Sequence, residues 1–183
     1  FVAERTKKVL EELMHQMFSD PLEIQTFRMK EGNYRSPREA DEDPSEWRDY
    51  ITGNLWGGRD THAWFRTTLQ IPDALDGRTA VIRLQTGAKG WDATNPQLML
   101  YVNGELIQGI DVNHTEVLLE HSAAAGTSYR IDLHAYSGME EGRNDLRLNV
   151  AALEEKVKDL WFDLSVPMQI AERLDENDIN RVD

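Results

Sequence analysis

The first 19 residues set Val2, Val9, Leu10, Leu13, Met14, Met17 and Phe18 at spacings of three, four and seven with charged residues between them. That period predicts an amphipathic helix. Asp20-Pro21 ends it, because a proline pushes the residue before it out of the helical region. The segment LEIQTFRM, residues 22–29, alternates imperfectly through Leu22, Ile24, Thr26 and Met29 and predicts a strand. From Lys30 to Asp49 the chain is charged, punctuated by proline and almost without apolar residues, which predicts a loop or an ordered extension lying over another surface. Its acidic run, Asp41, Glu42 and Asp43, reads as a solvated face and not as a metal site.

Beyond Leu55 the period shortens to two. HAWFRTTLQIP sets Trp64, Arg66, Thr68 and Gln70 against Phe65, Thr67, Leu69 and Ile71. TAVIRLQTG, QLMLYVNG, ELIQGIDV, TEVLLEH, SYRIDLHAYS and DLRLNVAALEEKVKDLWFDLSVP follow, with Asn103-Gly104 as the strongest hairpin signal in the chain. Short strands with turn signals and no intervening helical period predict an all-β fold, an antiparallel sandwich and not βαβ units. Leu100 and Val102, and Ile131, Leu133 and Ala135, give buried faces, and Leu160, Phe162, Leu164 and Val166 are read as closing the sheet. After Pro167 the spacing of Ile170 and Leu174 predicts a helix beginning. The expected organisation is therefore a helix and acidic connector over 1–50, a sandwich over 51–166 and the start of a linker helix over 167–183.

Charge and composition narrow the partners. The formal net charge is −13, with 33 acidic residues spread along the chain against 20 basic ones. Nucleic acid and anionic membranes need a basic patch, so neither is expected as a partner. No cysteine is present, which removes thiol chemistry and thiolate-held zinc and points to a reducing, cytoplasmic setting. No apolar run reaches the length of a membrane span. The chain begins at Phe1 without a methionine, so it is read as a fragment of a longer protein.

The densest stretch is GNLWGGRDTHAWFRTTLQIP, residues 53–72. Two readings of it stay open. In one, Trp56, His62 and Trp91 stack on a sugar ring whose hydroxyls Arg59, Asp60, Asp92 and Asn95 hydrogen-bond. In the other, Gly57-Gly58 makes a tight structural corner, Arg59 and Asp60 pin neighbouring loops, and Trp64 fills the core. Asp60, Asp92 and Asp111 sit where carboxyls could form a glycosidase pair, roughly 5 to 5.5 Å apart in retaining enzymes, but no spacing forces them together. Asp111 and His114 offer an oxygen and an imidazole three residues apart; without a second histidine nearby, a hydrogen-bonded turn is the better reading than a metal site. GxSxG, Walker, GxGxxG and HExxH signatures are all missing.

WGGRDTHAWFR, GWDATNPQLMLYVNGELIQGIDVNHTEVLL and DLWFDLSVPMQIAERLDENDINRV resemble the N-terminal β-domain of the family 38 glycoside hydrolases, the α-mannosidases, from about Trp56 to the end of the chain. The resemblance implies a jelly-roll sandwich similar to galactose-binding domains, set before the catalytic domain and leading into it through VPMQIAERLDENDINRVD. It also implies a divalent metal, usually zinc, held by a His-x-Asp type motif in that following domain. No histidine here is followed two places later by aspartate, so no catalytic residue, metal ligand or cofactor is assigned to this chain. The expected role is a non-catalytic accessory domain that docks on its own catalytic domain, in an enzyme hydrolysing terminal α-mannosyl residues. The alternatives are a carbohydrate-binding module for mannose-containing oligosaccharides, working through the Trp56 and Trp91 loops, and a homo-oligomer scaffold.

Overall fold

The computed structural model describes residues 2–87 and 95–173. In chain order the elements are α1 (Val2–Gln16), β1 (Phe18–Ile24), β2 (Thr26–Glu31), α2 (Pro37–Glu42), β3 (Arg48–Ile51), β4 (Trp56–Gly57), β5 (His62–Gln70), β6 (Ala80–Gln85), β7 (Gln97–Val102), β8 (Glu105–Ile110), β9 (Glu116–Glu120), β10 (Ser128–Tyr136), β11 (Arg143–Asn144), β12 (Arg147–Leu153) and α3 (Glu155–Arg173). They divide into two compact units, one of Pro21–Ala151 and one that joins the residues up to Asp20 to those from Ala152 onward.

In the larger unit the strands form a six-stranded sheet of order β3-β2-β5-β10-β7-β8, a four-stranded sheet of order β1-β12-β6-β9 and the small pair β11-β4. The pairings that fix the register are antiparallel, so the all-β antiparallel reading holds. Asn103 and Gly104 both take positive φ, 51° and 87°, which is what a two-residue turn between β7 and β8 needs. Alternation then decides which side chains are buried. Phe65, Leu69, Leu100, Ile131 and Leu133 of the six-stranded sheet and Ile82, Leu84, Leu148 and Val150 of the other sheet are all fully buried. Phe27, Tyr50, Trp56 and Phe65 meet edge to face within this core, with Tyr50 and Phe65 ring centroids 4.9 Å apart and those of Trp56 and Phe65 5.4 Å apart.

Three local expectations are corrected. Leu160, Phe162, Leu164 and Val166 do not close a sheet: residues 155–173 are the helix α3, with Pro167 inside it. The stretch fits both periods, and what decides is that Trp161, Leu164, Ser165 and Met168 recur at helical spacing and are the less exposed positions, while Leu160, Phe162 and Val166 stay exposed. Trp64 is fully buried but lies on the opposite face of β5 from Phe65, so it does not fill the core between the sheets. The acidic run is not simply solvated. Residues 36–43 fold into α2, capped by Ser36 Oγ, which accepts the Glu39 amide at 3.2 Å, and Asp41 and Asp43 are ion-paired to the sheet beneath.

In the smaller unit α1 packs with α3. The Met17 carbonyl accepts the Glu154 amide at 2.9 Å, and the Ser19 hydroxyl donates to the Glu154 carboxylate at 2.6 Å, which ties the end of α1 to the start of α3.

Candidate functional site

The outer face of the six-stranded sheet carries the polar and aromatic side chains that alternate with the core. Register lines them up in rows. Gln97, Tyr136 and His62 form one row; Met99, His134, Trp64 and Lys30 the next; Tyr101, Asp132, Arg66 and Arg28 the third. Successive rows lie two residues apart on every strand, because every second side chain of a strand points to the same face.

The third row is closed by residues 32–47, which cross it as a strap. Trp64 and Tyr101 pack with Ala40, Tyr34 and Trp47 beneath and within this strap. Asp132 is fully buried and bonds Arg66 Nε at 2.5 Å and Arg130 Nε at 2.8 Å; the same two arginines reach Asp41 of the strap at 2.5 and 3.1 Å. The Arg66 guanidinium also lies 4.3 Å from the centre of the Trp47 ring. Lys30, only 2% exposed, donates to the carbonyls of Ala40 at 2.7 Å and Asp43 at 2.9 Å and pairs with the Asp43 carboxylate at 3.2 Å. Partial burial raises the Asp41 pKa, but the bonds and charges of Arg66 and then Arg130 more than offset this and hold it below the usual carboxylate range. Asp43 is held well below that range by hydrogen bonds from Ser45 and Lys30.

The first row, with Met99 and His134 of the second, is not covered in this way and leads into an open cleft of about 370 Å³ lined by Gln97, Leu98, Met99, Gly109, Ile110, Asp111, His134 and Tyr136. Its aromatic wall is a stack. Trp64 lies flat on His134, with centroids 4.7 Å apart and ring planes 4° from parallel. His134 Nε2 meets His62 Nδ1 at 3.1 Å, and His62 stacks on Tyr136 at 4.6 Å. The Tyr136 hydroxyl donates to the Asp60 carboxylate at 3.1 Å. Burial, reinforced by the neighbouring His62, pushes the His134 pKa down to about 4, so the ring is neutral at pH 7.

The structure therefore gathers some of the residues singled out in the sequence and separates others. Asp60 and His62 join the aromatic wall. The backbone of Asp60, at φ 52°, donates to the Gly138 carbonyl at 2.7 Å, so Asp60 pins its loop to the end of β10. Asn95 lies against the same glycine: a Cβ added to Gly138 would come within 2.8 Å of the Asn95 amide. Asp111 lines the cleft on the β8 side, where one carboxylate oxygen accepts the amides of Asn113 and His114, both at 2.8 Å, and His114 Nδ1 at 3.0 Å. Those bonds hold the Asp111 pKa below its ordinary value and make His114 part of a closed turn. Arg59 is exposed. Trp56 is 2% exposed and its ring packs in the core against Phe65. Trp91 and Asp92 lie outside the described residues.

His134, Tyr136, Gln97 and Met99 are site residues that the sequence reading missed. The signal was present: once Ile131, Leu133 and Ala135 are read as the buried face of β10, positions 132, 134 and 136 must point the other way. Among the described residues no three His, Asp or Glu side chains converge as a metal site. Among the same residues no helix is long and apolar enough to cross a membrane.

A family model described as alpha-mannosidase, jelly roll domain, matches residues 20–167. No curated protein sequence matches the chain. Among solved structures, a β-glucuronidase from an uncultured Clostridium sp. aligns at a TM-score of 0.48 and 14% identity, over 74% of this chain and 29% of that one. The β-glucuronidase of Ruminococcus gnavus in complex with uronic deoxynojirimycin aligns at 0.49 and 9% identity over 73% and 29%, and that of Dictyoglomus thermophilum at 0.47 and 10% over 74% and 28%. The chain thus spans less than a third of the length of these enzymes.

Proposed function

The chain belongs to the α-mannosidase jelly roll domain family, and from that premise we propose that it is a non-catalytic accessory domain of a longer α-mannosidase, supporting the catalytic domain by docking on it. The family match over residues 20–167 carries the reading. The side-chain chemistry agrees with it. The charged groups of the strap are engaged with one another, Asp111 is engaged in its own turn, and the imidazole of His134 is neutral and locked between Trp64 and His62. Asp41, Asp43 and Asp111 are held below the ordinary carboxylate range and His134 below the ordinary imidazole range, so none of these four is poised as a general acid at neutral pH. Hydrolysis of α-mannosyl residues, and the divalent metal that assists it, would belong to the catalytic domain.

The test is an assay of the purified chain on p-nitrophenyl α-D-mannopyranoside, with and without zinc, beside the full-length enzyme. The chain alone is expected to give no turnover above buffer, and a separately expressed catalytic portion is expected to gain stability or activity when the chain is added in trans. Turnover by the chain itself that disappears in Asp60→Asn would overturn the non-catalytic reading. No effect of the added chain on the catalytic portion would overturn the docking one.

A further inference from the structure

We propose that the cleft over β7, flanked by β8 and β10, is a binding subsite for one uncharged hexopyranose ring. Its volume, about 370 Å³, falls at the small end of ligand pockets and suits a single sugar ring with its first waters. Its lining disfavours apolar and anionic ligands. The apolar residues Leu98 and Ile110 are each 2% exposed, which leaves Met99, 47% exposed, as the apolar surface a ligand would touch; an aliphatic or polyaromatic ligand has too little to bury against. Asp111, held in its charged form by the Asn113 and His114 amides, stands in the lining, and Asp60 bonds the hydroxyl of the lining residue Tyr136. His134 brings no compensating positive charge. Carboxylates, phosphates and sulfates are therefore repelled.

A neutral ligand with a C–H face for the Tyr136 ring and Met99, and with hydroxyl donors for the Asp111 carboxylate, fits this lining, and a pyranose supplies both. The wall is preorganised. Tyr136 is stacked on His62, His62 is bonded to His134, and His134 is flat on Trp64, so binding need not freeze loose rotamers. This site is different from the Trp56 and Trp91 loops that the sequence suggested for a sugar, and it stands whether or not the chain docks on an enzyme.

The experiment is a titration of the 183-residue chain with methyl α-D-mannopyranoside, followed by amide chemical shifts. Saturable shifts are expected at residues 97–99, 109–111 and 134–136, with a dissociation constant on the order of 1 mM, as befits so small a ligand. Asp111→Asn keeps an oxygen for the turn and removes the charge; it should weaken binding roughly tenfold, as expected for loss of a charge-assisted bond. Tyr136→Ala should remove binding, whereas Tyr136→Phe should keep it within about threefold. Glucuronate should bind at least about tenfold more weakly than the neutral sugar. Four outcomes would each overturn the proposal: no saturable shift up to about 50 times the expected constant, shifts confined to other residues, full affinity in folded Asp111→Asn, or binding of glucosamine in place of the neutral sugar. Failure here leaves the docking reading untouched, because that reading is decided by addition of the chain to the catalytic portion.

Discussion

Along the outer face of the six-stranded sheet, the row of Tyr101, Asp132 and Arg66 and the row of Gln97, Tyr136 and His62 stand four residues apart on each strand, yet one is sealed by the strap and the other leads into a cleft. The sealed end is built from charges. Asp132, Arg66, Arg130 and Asp41 form one network and Lys30 has three oxygen partners, so each charge taken out of water has partners that offset its desolvation. The open end is built mostly from the rings of His62, His134 and Tyr136, and His134 stays half-buried there because it is neutral at pH 7. A charge network fixes one arrangement and loses heavily when a member is removed, whereas a neutral stack tolerates change and leaves its rim available to a ligand.

The largest expected effect follows from breaking the network at its buried centre. Asp132→Ala leaves Arg66 and Arg130 with Asp41 as their remaining carboxylate in the network, and removal of one partner from a buried ion pair costs about 3 to 5 kcal/mol. For a chain of this length that is a fall in melting temperature of roughly 6 to 20 °C. Chemical denaturation monitored by circular dichroism measures it. A loss below about 1 kcal/mol would mean that the strap is held by packing on Trp64 and Tyr101 and not by charge.

The next effect separates the two ends by pH. His134 has a folded pKa of about 4 against an ordinary value of 6.5, so the native state resists protonation that the unfolded state accepts. Its stability term is fully present above pH 6.5 and is lost as pH falls from 6.5 to 4, amounting to roughly 2 to 3 kcal/mol at about 1.36 kcal/mol per pH unit. The strap loses stability in the same direction but in a lower window. The Asp41 pKa is depressed from 3.8, so that contribution persists throughout this range and is lost only as pH drops below about 4. Denaturant midpoints between pH 7 and 4.5 should therefore fall for the native sequence and flatten in His134→Gln, while Asp41→Asn leaves the slope of that segment unchanged. An equal slope in His134→Gln would place the titration elsewhere.

How much of this was legible depended on distance along the chain. The Asn103-Gly104 turn and the Ile131, Leu133, Ala135 face are local signals, and both describe the structure as read. The Ser36-to-Glu39 cap was equally local and was passed over, because a charged, proline-rich stretch was judged by composition. Asp41 could not be assigned to Arg66 or Arg130 from sequence, since those partners lie 25 and 89 residues away and only the register of β5 on β10 brings them together. The cleft was half visible: Asp60, His62 and Asp111 were named, but His134 and Tyr136 were hidden by attention to the other face of their strand. Residues 160–166 show the opposite failure, where an apolar run long enough to satisfy both periods was given to the wrong one.

The smallest effect sharpens the contrast from the open side. Tyr136→Phe removes a single hydrogen bond, from the Tyr136 hydroxyl to the Asp60 carboxylate at 3.1 Å. Asp60 is exposed and can rebond to water, and its backbone remains fixed to the Gly138 carbonyl at 2.7 Å. The ring keeps its stack on His62. Stability should therefore change by no more than about 0.5 kcal/mol, the range of surface substitutions that leave no buried group unsatisfied. Asp132→Ala and Tyr136→Phe each remove a carboxylate contact from the same strand, four residues apart, so the ratio of their effects measures directly how far burial, and not the count of hydrogen bonds, sets the strength of this face. Equal losses in urea titrations of the two variants would show that the open end is as tightly locked as the strap.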